Sequence, residues 1–152
     1  MSYEFASGYR IRNQWAPHFL TFTISGWIDI FSREVYRKMI IESFKFCQDR
    51  KGLKISAYVI MTNHIHVIWT AKNGDLSDII RDFKTFTSKE IISLINTENE
   101  SRRHWLLHLF RFYGKRTNGN TEFKVWSGDN HAEEIQSLSF YHQKLEYIHM
   151  NP

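Results

Sequence analysis

The sequence predicts an α+β fold of the ferredoxin-like kind, an antiparallel sheet with helices packed on one face. The chain has 152 residues, of which 42% are hydrophobic, and this suits one packed domain. Its patterns follow the order strand, helix, hairpin, helix, strand, which is a split β-α-β arrangement. No repeat, low-complexity tract or proline-rich linker interrupts that order. We therefore expect a single domain over residues 1–152.

The first half of the chain predicts a strand, a helix and a hairpin. Residues 18–25 are rich in β-branched and aromatic side chains, as strands are. Apolar residues then recur at helical spacing as far as Arg50, with Ser32 as the expected cap and Gly52 as the expected stop. Two further strands are predicted over 53–60 and 64–70. A three-residue connection between them makes a hairpin.

The second half predicts three helices and one more strand. Helical periodicity runs from Asp75 to Ile95, and a further helix is expected over 101–113. The stretch 117–120 indicates a loop, because Asn and Gly accept a positive φ at little cost. A strand is then expected over 122–126 and a terminal helix over 135–150.

Composition excludes several classes of protein. No run approaches the roughly 18 apolar residues of a membrane span, and the first residues lack the layout of a secretory signal. We therefore expect a cytoplasmic protein with no membrane partner. Cys47 is the single cysteine and lies in an apolar run, which predicts a buried thiol and excludes an internal disulfide or a cysteine-built zinc site.

The charge pattern favours a polyanionic partner. The formal net charge is +4, and residues 101–116 contain five Arg or Lys side chains, no carboxylate and several aromatic residues. Such a mixture suits contact with phosphates and stacking of bases. It is equally typical of an amphipathic helix whose charged face is merely solvated.

His64 and His66 form the first candidate site. Side chains of a strand alternate between its faces, so these two imidazoles project from the same side and can bind one ion. Taken alone, the pattern is also typical of a turn-capping histidine beside a hydrogen-bonded surface one.

Tyr147 and Asn151 form the second candidate site. In a helix they are related as i and i+4, so a phenol and an amide share one face. A helical tyrosine by itself is more often a core or interface residue.

Four short segments together resemble a known family. They read MTNHIH from Met61, FKTFTS from Phe83, FKVWSGDNH from Phe123 and YIHMNP from Tyr147. In this order and spacing they resemble the single-tyrosine HUH transposases of the insertion-sequence-200-like family, particularly the branch associated with repetitive extragenic palindromes (REP). The resemblance extends from about Phe19 to the last residue.

The resemblance implies a DNA transposase and endonuclease. Tyr147 on the C-terminal helix would be the nucleophile, and His64, His66 and Asn151 would hold Mg²⁺ or Mn²⁺. The enzyme would cleave and rejoin single-stranded DNA near a hairpin through a 5′-phosphotyrosine, with each tyrosine serving either its own histidines or those of a homodimer partner. DNA contacts are expected from basic residues along the chain, namely Arg10, Arg12, Arg81, Lys84, Arg102, Arg103, Lys115 and Arg116.

Two alternatives remain open at this point. A domesticated, site-specific single-strand nickase would use the same chemistry without mobility, and the sequence does not separate it from a transposase. A ferredoxin-like nucleic-acid-binding module without catalysis would bind DNA and form no covalent adduct.

Overall fold

Strands and helices alternate along the chain much as the patterns predict. The computed structural model describes residues 10–117 and 121–150, so Asn151 and three residues of the predicted 117–120 loop lie outside the described residues. The described elements are β1 (His18–Thr23), α1 (Glu34–Arg50), β2 (Leu53–Ile60), β3 (His64–Ala71), α2 (Leu76–Thr97), α3 (Arg103–Lys115), β4 (Glu133–Glu134) and α4 (Leu138–Met150), with short 3-10 turns at Ser25–Trp27 and Ile30–Ser32.

The four described strands form one antiparallel sheet in the order β2-β3-β1-β4. β1 and β3 occupy the centre, and their register pairs Thr21 with His66 and Thr23 with His64. This strand order, with α1 and α2 as the crossovers, confirms the predicted ferredoxin-like α+β fold. The histidine strand therefore lies in the middle of the sheet, where both neighbours fix its position.

One face of the sheet carries the main core. Ile65, Val67 and Trp69 alternate along β3 toward α1 and α2 and are fully buried. Trp69 contacts the rings of Phe44 from α1 and Phe83 from α2. Each such side chain contributes about 1.5–3 kcal/mol on burial, so this layer is a rigid base for the strands.

The opposite face carries α4. A second, smaller core cluster joins Phe19 of β1, Ile68 of β3 and Ile148 of α4. His64 and His66 alternate with the residues of the main core, so they too lie on this second face. The C-terminal helix is therefore packed on the side of the sheet that bears the histidines.

Two local predictions are wrong. Residues 122–126 form a single bridge, between Trp126 and Ile24, and the fourth strand is Glu133–Glu134 instead. The apolar content of that stretch reflects burial against α2, where the Trp126 indole donates a hydrogen bond to Thr87 Oγ1 at 2.9 Å. Ser32 does not cap α1, because it belongs to a 3-10 turn and its hydroxyl donates to the carbonyl of Asp29 at 2.8 Å.

Candidate active site

The two histidine side chains of β3 are adjacent, as the strand alternation predicts. Their ring centroids are 4.7 Å apart. His66 is 6% exposed and stacks on Phe19 of β1, with 5.3 Å between the ring centroids. His64 lies at the start of the strand and is partly exposed. The pair therefore has an inner member, fixed by packing, and an outer member open to solvent.

Each imidazole is oriented by a hydrogen bond at Nδ1. His66 Nδ1 lies 3.0 Å from Thr21 Oγ1, and His64 Nδ1 lies 2.7 Å from Asn63 Oδ1. An amide oxygen only accepts, so His64 must donate from Nδ1. The amide of Asn63 is itself fixed, because its Nδ2 donates to the carbonyl of Trp27 at 3.3 Å. This leaves Nε2 as the nitrogen that each ring can offer to a metal.

Both histidines are held in the neutral form that coordination requires. Burial, the neighbouring His64 and then Lys144 lower the pKa of His66 to about 4. Burial also lowers the pKa of His64. Neither ring needs to lose a proton before it binds a cation at neutral pH.

Tyr147 of α4 lies beside the inner histidine. Its ring centroid is 5.2 Å from that of His66 and 5.9 Å from that of Phe19, both with edge-to-face geometry. The residue is 49% exposed, so a substrate can approach it. Packing of Ile148 into the second core cluster holds this part of α4 on the sheet. The predicted nucleophile and the two histidines of the predicted metal site are therefore brought together within one chain.

Lys144 places a positive charge in the same cluster. Its ammonium lies over the rings of Phe19 at 4.5 Å and Tyr147 at 5.7 Å from their centroids. It also pairs with Glu133 of β4 at 3.2 Å. Since only 18% of the side chain is exposed, this charge is screened less than a surface lysine would be.

The donor set fits a divalent cation with open coordination positions. Two neutral imidazoles are adjacent in edge-to-face geometry, and residues 10–117 and 121–150 contain no group of three His, Cys, Asp or Glu side chains that would complete a site. The predicted third ligand, Asn151, lies outside those residues. Imidazole with amide oxygen, and no thiolate, is compatible with Mn²⁺ or Mg²⁺.

The predicted DNA-binding residues divide into two groups by their contacts. In one group the charge is engaged within the protein. The Lys84 ammonium donates to Ser127 O at 3.1 Å and Asn130 Oδ1 at 2.8 Å, and burial lowers its pKa to about 8. Arg81 pairs with Asp78 and Asp82 on its own helix.

Arg102 and Arg103 also belong to this engaged group. Arg102 pairs with Asp29 at 2.7 Å and with Glu100 at 3.4 Å. Arg103 donates to the carbonyls of Ile95 and Glu98 at the end of α2, at 2.9 and 3.1 Å. Both guanidinium groups therefore fasten the segment between α2 and α3.

The second group is exposed. Lys115 and Arg116 are exposed at the C-terminal end of α3, and the Arg116 guanidinium lies 5.2 Å from the centroid of the Phe112 ring. Arg10 and Arg12 are exposed near the start of the described chain. These four side chains are accessible to solvent.

Several residues of the site were not predicted from the sequence. Lys144 precedes Tyr147 by three positions, so helical spacing was a signal for it. Asn63 is next to His64 within the motif itself. Thr21 and Phe19 had no local signal, because their place opposite His66 depends on the pairing of β1 with β3.

The fold and the site together define a class of protein: a ferredoxin-like sheet whose central strand carries a histidine pair beside a tyrosine on a C-terminal helix. Residues 9–127 match the family model described as "Transposase IS200 like". Because that match covers more than half of the chain, the protein belongs to the IS200-like transposase family. The resemblance to the insertion-sequence-200-like family predicted from the motifs is thereby confirmed.

Solved structures show the same fold. A REP-associated tyrosine transposase bound to a REP hairpin superposes with a TM-score of 0.59 at 19% identity, over 95% of this chain and 71% of that one. A candidate transposase from Deinococcus radiodurans R1 superposes with a TM-score of 0.50 at 13% identity, over 92% of each chain. No curated protein matches significantly. Within the described residues, none of the helices has the length and apolar character needed to cross a bilayer.

Proposed function

We propose that this protein cleaves and rejoins single-stranded DNA next to a hairpin, with Tyr147 as the nucleophile. The observation that carries the proposal is the 5.2 Å separation between the ring centroids of Tyr147 and His66 across the α4–sheet interface. No separate movement of α4 is needed to bring the phenol to the histidine pair. Since both groups belong to one chain, we propose a site that is complete in a monomer.

The proposed covalent step uses the Tyr147 phenol as the nucleophile. Tyr147 Oη attacks the phosphorus of the phosphodiester and loses its proton to solvent, while the bond from phosphorus to the 3′ oxygen breaks and that oxygen takes up a proton from solvent. The products are a 5′-phosphotyrosine and a free 3′-hydroxyl. The covalent link preserves the free energy of the phosphodiester, so a 3′-hydroxyl can reverse the step and join strands. Strand exchange of this kind would serve transposition.

His64 and His66, together with Asn151, would hold Mg²⁺ or Mn²⁺. When bound, such a cation withdraws charge from a non-bridging phosphate oxygen and orients the phosphorus for in-line attack. The chain contributes preorganisation: Thr21 and Asn63 fix the imidazoles, and Phe19 supports the His66 ring. Lys144 adds a positive charge on the Tyr147 side of the site.

The DNA would approach across the exposed side of the site. The exposed cations Lys115 and Arg116 suit phosphates of an incoming strand, with Arg10 and Arg12 as further candidates. Arg81, Lys84, Arg102 and Arg103 are engaged within the protein, and we propose for them a part in stabilising the fold. The structurally similar REP-associated transposase is bound to a REP hairpin, which makes hairpin DNA the first substrate to test.

A covalent-adduct assay tests the proposed function. Incubation with labelled single-stranded hairpin DNA and Mn²⁺ should give a protein–DNA adduct that survives denaturation. Tyr147→Phe should abolish the adduct while leaving DNA affinity within about twofold, because the substitution removes one oxygen and keeps the ring. His64→Ala or His66→Ala should lose Mn²⁺ affinity and cleavage together. An adduct formed by Tyr147→Phe would exclude this nucleophile, and DNA binding without any wild-type adduct would favour a non-catalytic binding module.

A further inference from the structure

Trp27 is an exposed aromatic residue at the edge of the site. Its side chain is 67% exposed, and its ring centroid lies 6.1 Å from that of His64. Its backbone has a φ of +58°, in the left-handed region. A bulky residue in that region costs about 1–3 kcal/mol, and such strain concentrates at functional sites. The conformation is retained although the indole buries little surface.

The strained conformation is tied to the histidine pair. The Trp27 N–H donates to the carbonyl of Ile24 at 3.0 Å, which closes the turn after β1. The Trp27 carbonyl accepts a hydrogen bond from Asn63 Nδ2, and Oδ1 of the same amide accepts from His64. One side chain therefore orients both the imidazole and the turn that presents the indole.

The turn that carries Trp27 packs against α3. Gly26 also has a positive φ, +70°, and a Cβ at that position would lie 2.7 Å from Tyr113 Oη. The Tyr113 side chain of α3 therefore packs directly against this turn. The contact leaves the Trp27 ring open to solvent, so packing does not explain an aromatic residue here.

Four rings form a row along the site. Trp27 neighbours His64, His64 neighbours His66, and His66 neighbours Tyr147, with centroid separations of 6.1, 4.7 and 5.2 Å. A phosphate held at the histidine pair would therefore have the nucleophile on one side and a free indole face on the other. An unpaired base attached to that strand would lie within reach of the indole.

We propose that Trp27 is a stacking platform for an unpaired nucleobase next to the phosphate attacked by Tyr147. This inference rests on the proposed function and assigns a base-binding position to the same site. Every base has a π face, so the platform would accept any of the four and would discriminate unpaired from paired DNA. The strained turn keeps the indole at a fixed distance from the histidines.

The test compares two substitutions at position 27 in a Tyr147→Phe background, which permits binding without a covalent adduct. Trp27→Asn removes the ring and tolerates the left-handed backbone, whereas Trp27→Tyr keeps an aromatic face. Affinity for fluorescein-labelled oligothymidylate of about a dozen nucleotides is measured by anisotropy. Trp27→Asn should weaken binding by about 5- to 100-fold, and Trp27→Tyr should retain most of it.

An oligomer of the same length without bases separates stacking from charge. Trp27→Asn should bind this abasic strand as tightly as its parent does. Phe86→Ala is the matched control, because Phe86 is 52% exposed on α2, on the other side of the sheet, and should change neither affinity. Melting temperatures confirm that all variants are folded.

Two results would overturn the platform. In the first, Trp27→Asn binds oligothymidylate as tightly as its parent does. In the second, Trp27→Asn loses affinity equally for oligothymidylate and for the abasic strand. The comparison involves no cleavage, so it is independent of the proposed reaction. Failure of that reaction would appear separately, as an absence of the Tyr147 adduct in otherwise wild-type protein.

Discussion

The orientation of the imidazoles depends on two short polar residues. Thr21 and Asn63 each occupy Nδ1 of one histidine and thereby leave Nε2 available for a metal. Partners of this kind fix the tautomer and the ring angle of a metal-binding histidine. The affinity of the pair for a cation should therefore depend on residues that never touch the ion.

Thr21→Val tests this dependence on a residue outside the ligand set. The substitution keeps the shape but removes the hydroxyl beside His66, so Mn²⁺ affinity should fall about tenfold in a calorimetric titration. Thr23→Val is the matched control, because Thr23 pairs with His64 across the same two strands and does not bond either imidazole in the described structure. Equal Mn²⁺ affinities for the two variants would contradict the predicted role of the hydroxyl.

Glu100 is a buried charge that serves stability. Its side chain is 1% exposed and accepts hydrogen bonds from Tyr36 at 2.9 Å and Arg33 at 3.0 Å. Burial by itself would raise the pKa of this carboxyl. Hydrogen bonds from the Arg102 backbone, Tyr36, Arg33 and the Arg102 side chain outweigh burial and hold the pKa at about 2. The carboxylate thus links α1 to the segment before α3.

Glu100→Gln should lower the free energy of unfolding at pH 7 by about 2 kcal/mol, since bonds to an ionised acceptor are lost. The folded pKa lies below the unfolded value near 4.3, so this stabilisation is complete above about pH 4.3 and declines toward pH 2. Urea unfolding should therefore show the wild-type advantage shrinking across that window. Glu98→Gln is the control, and a constant difference between wild type and Glu100→Gln from pH 7 to pH 2 would contradict the assignment.

At the scale of elements, α4 is the helix that brings Tyr147 to the histidine pair. It packs on the histidine face through Ile148, and the ion pair between Lys144 and Glu133 joins it to β4. The same lysine lies over the Tyr147 ring. Lys144 therefore both helps to hold α4 on the sheet and places a positive charge beside Tyr147. Two substitutions can separate these effects.

Lys144→Met should slow adduct formation about tenfold, because a positive charge some 6 Å from the phenol contributes about 1–3 kcal/mol to an anionic transition state. Methionine and lysine side chains have nearly equal volumes, so Lys144→Met should lower the free energy of unfolding by less than about 1.5 kcal/mol. Glu133→Gln breaks the ion pair but keeps the lysine charge. Single-turnover rates should therefore rank wild type and Glu133→Gln well above Lys144→Met. Equal rates for the two variants would assign Lys144 to docking alone.

At the scale of the whole molecule, some basic side chains are engaged in contacts within the protein, whereas others are exposed. Arg102 and Arg103 belong to the most basic stretch of the chain, yet both are engaged in holding α2 to α3. Lys115 and Arg116 in the same stretch are exposed. Phosphate contacts are therefore expected mainly from the C-terminal end of α3.

The double substitution Lys115→Gln with Arg116→Gln should weaken hairpin DNA binding and reduce the slope of log K against log salt by about 1–2. Lys38→Gln with Lys45→Gln is the matched control, because these exposed lysines lie on α1, which packs on the face of the sheet opposite the histidines. Arg102→Gln should instead lower the melting temperature. An unchanged salt slope in the α3 variant would place the phosphate contacts elsewhere.

Local pattern alone determined most elements and the chemistry-bearing residues. The bounds of β2 follow directly from its composition, and the His64–His66 alternation requires only a strand. Helical spacing likewise placed Tyr147 within a helix. These features depend on neighbours within a few positions, which is the range over which a side-chain period operates.

Tertiary structure decided what those residues meet. The pairing of β1 with β3 places Thr21 opposite His66, and the packing of α4 on the second face brings Tyr147 to that histidine. The fourth strand and the engagement of Arg102 were beyond local signals as well, because apolar or basic composition does not distinguish a strand from a buried segment or a free cation from a paired one. Contacts between residues far apart in the chain are set by burial and pairing over the whole fold, which no local period encodes.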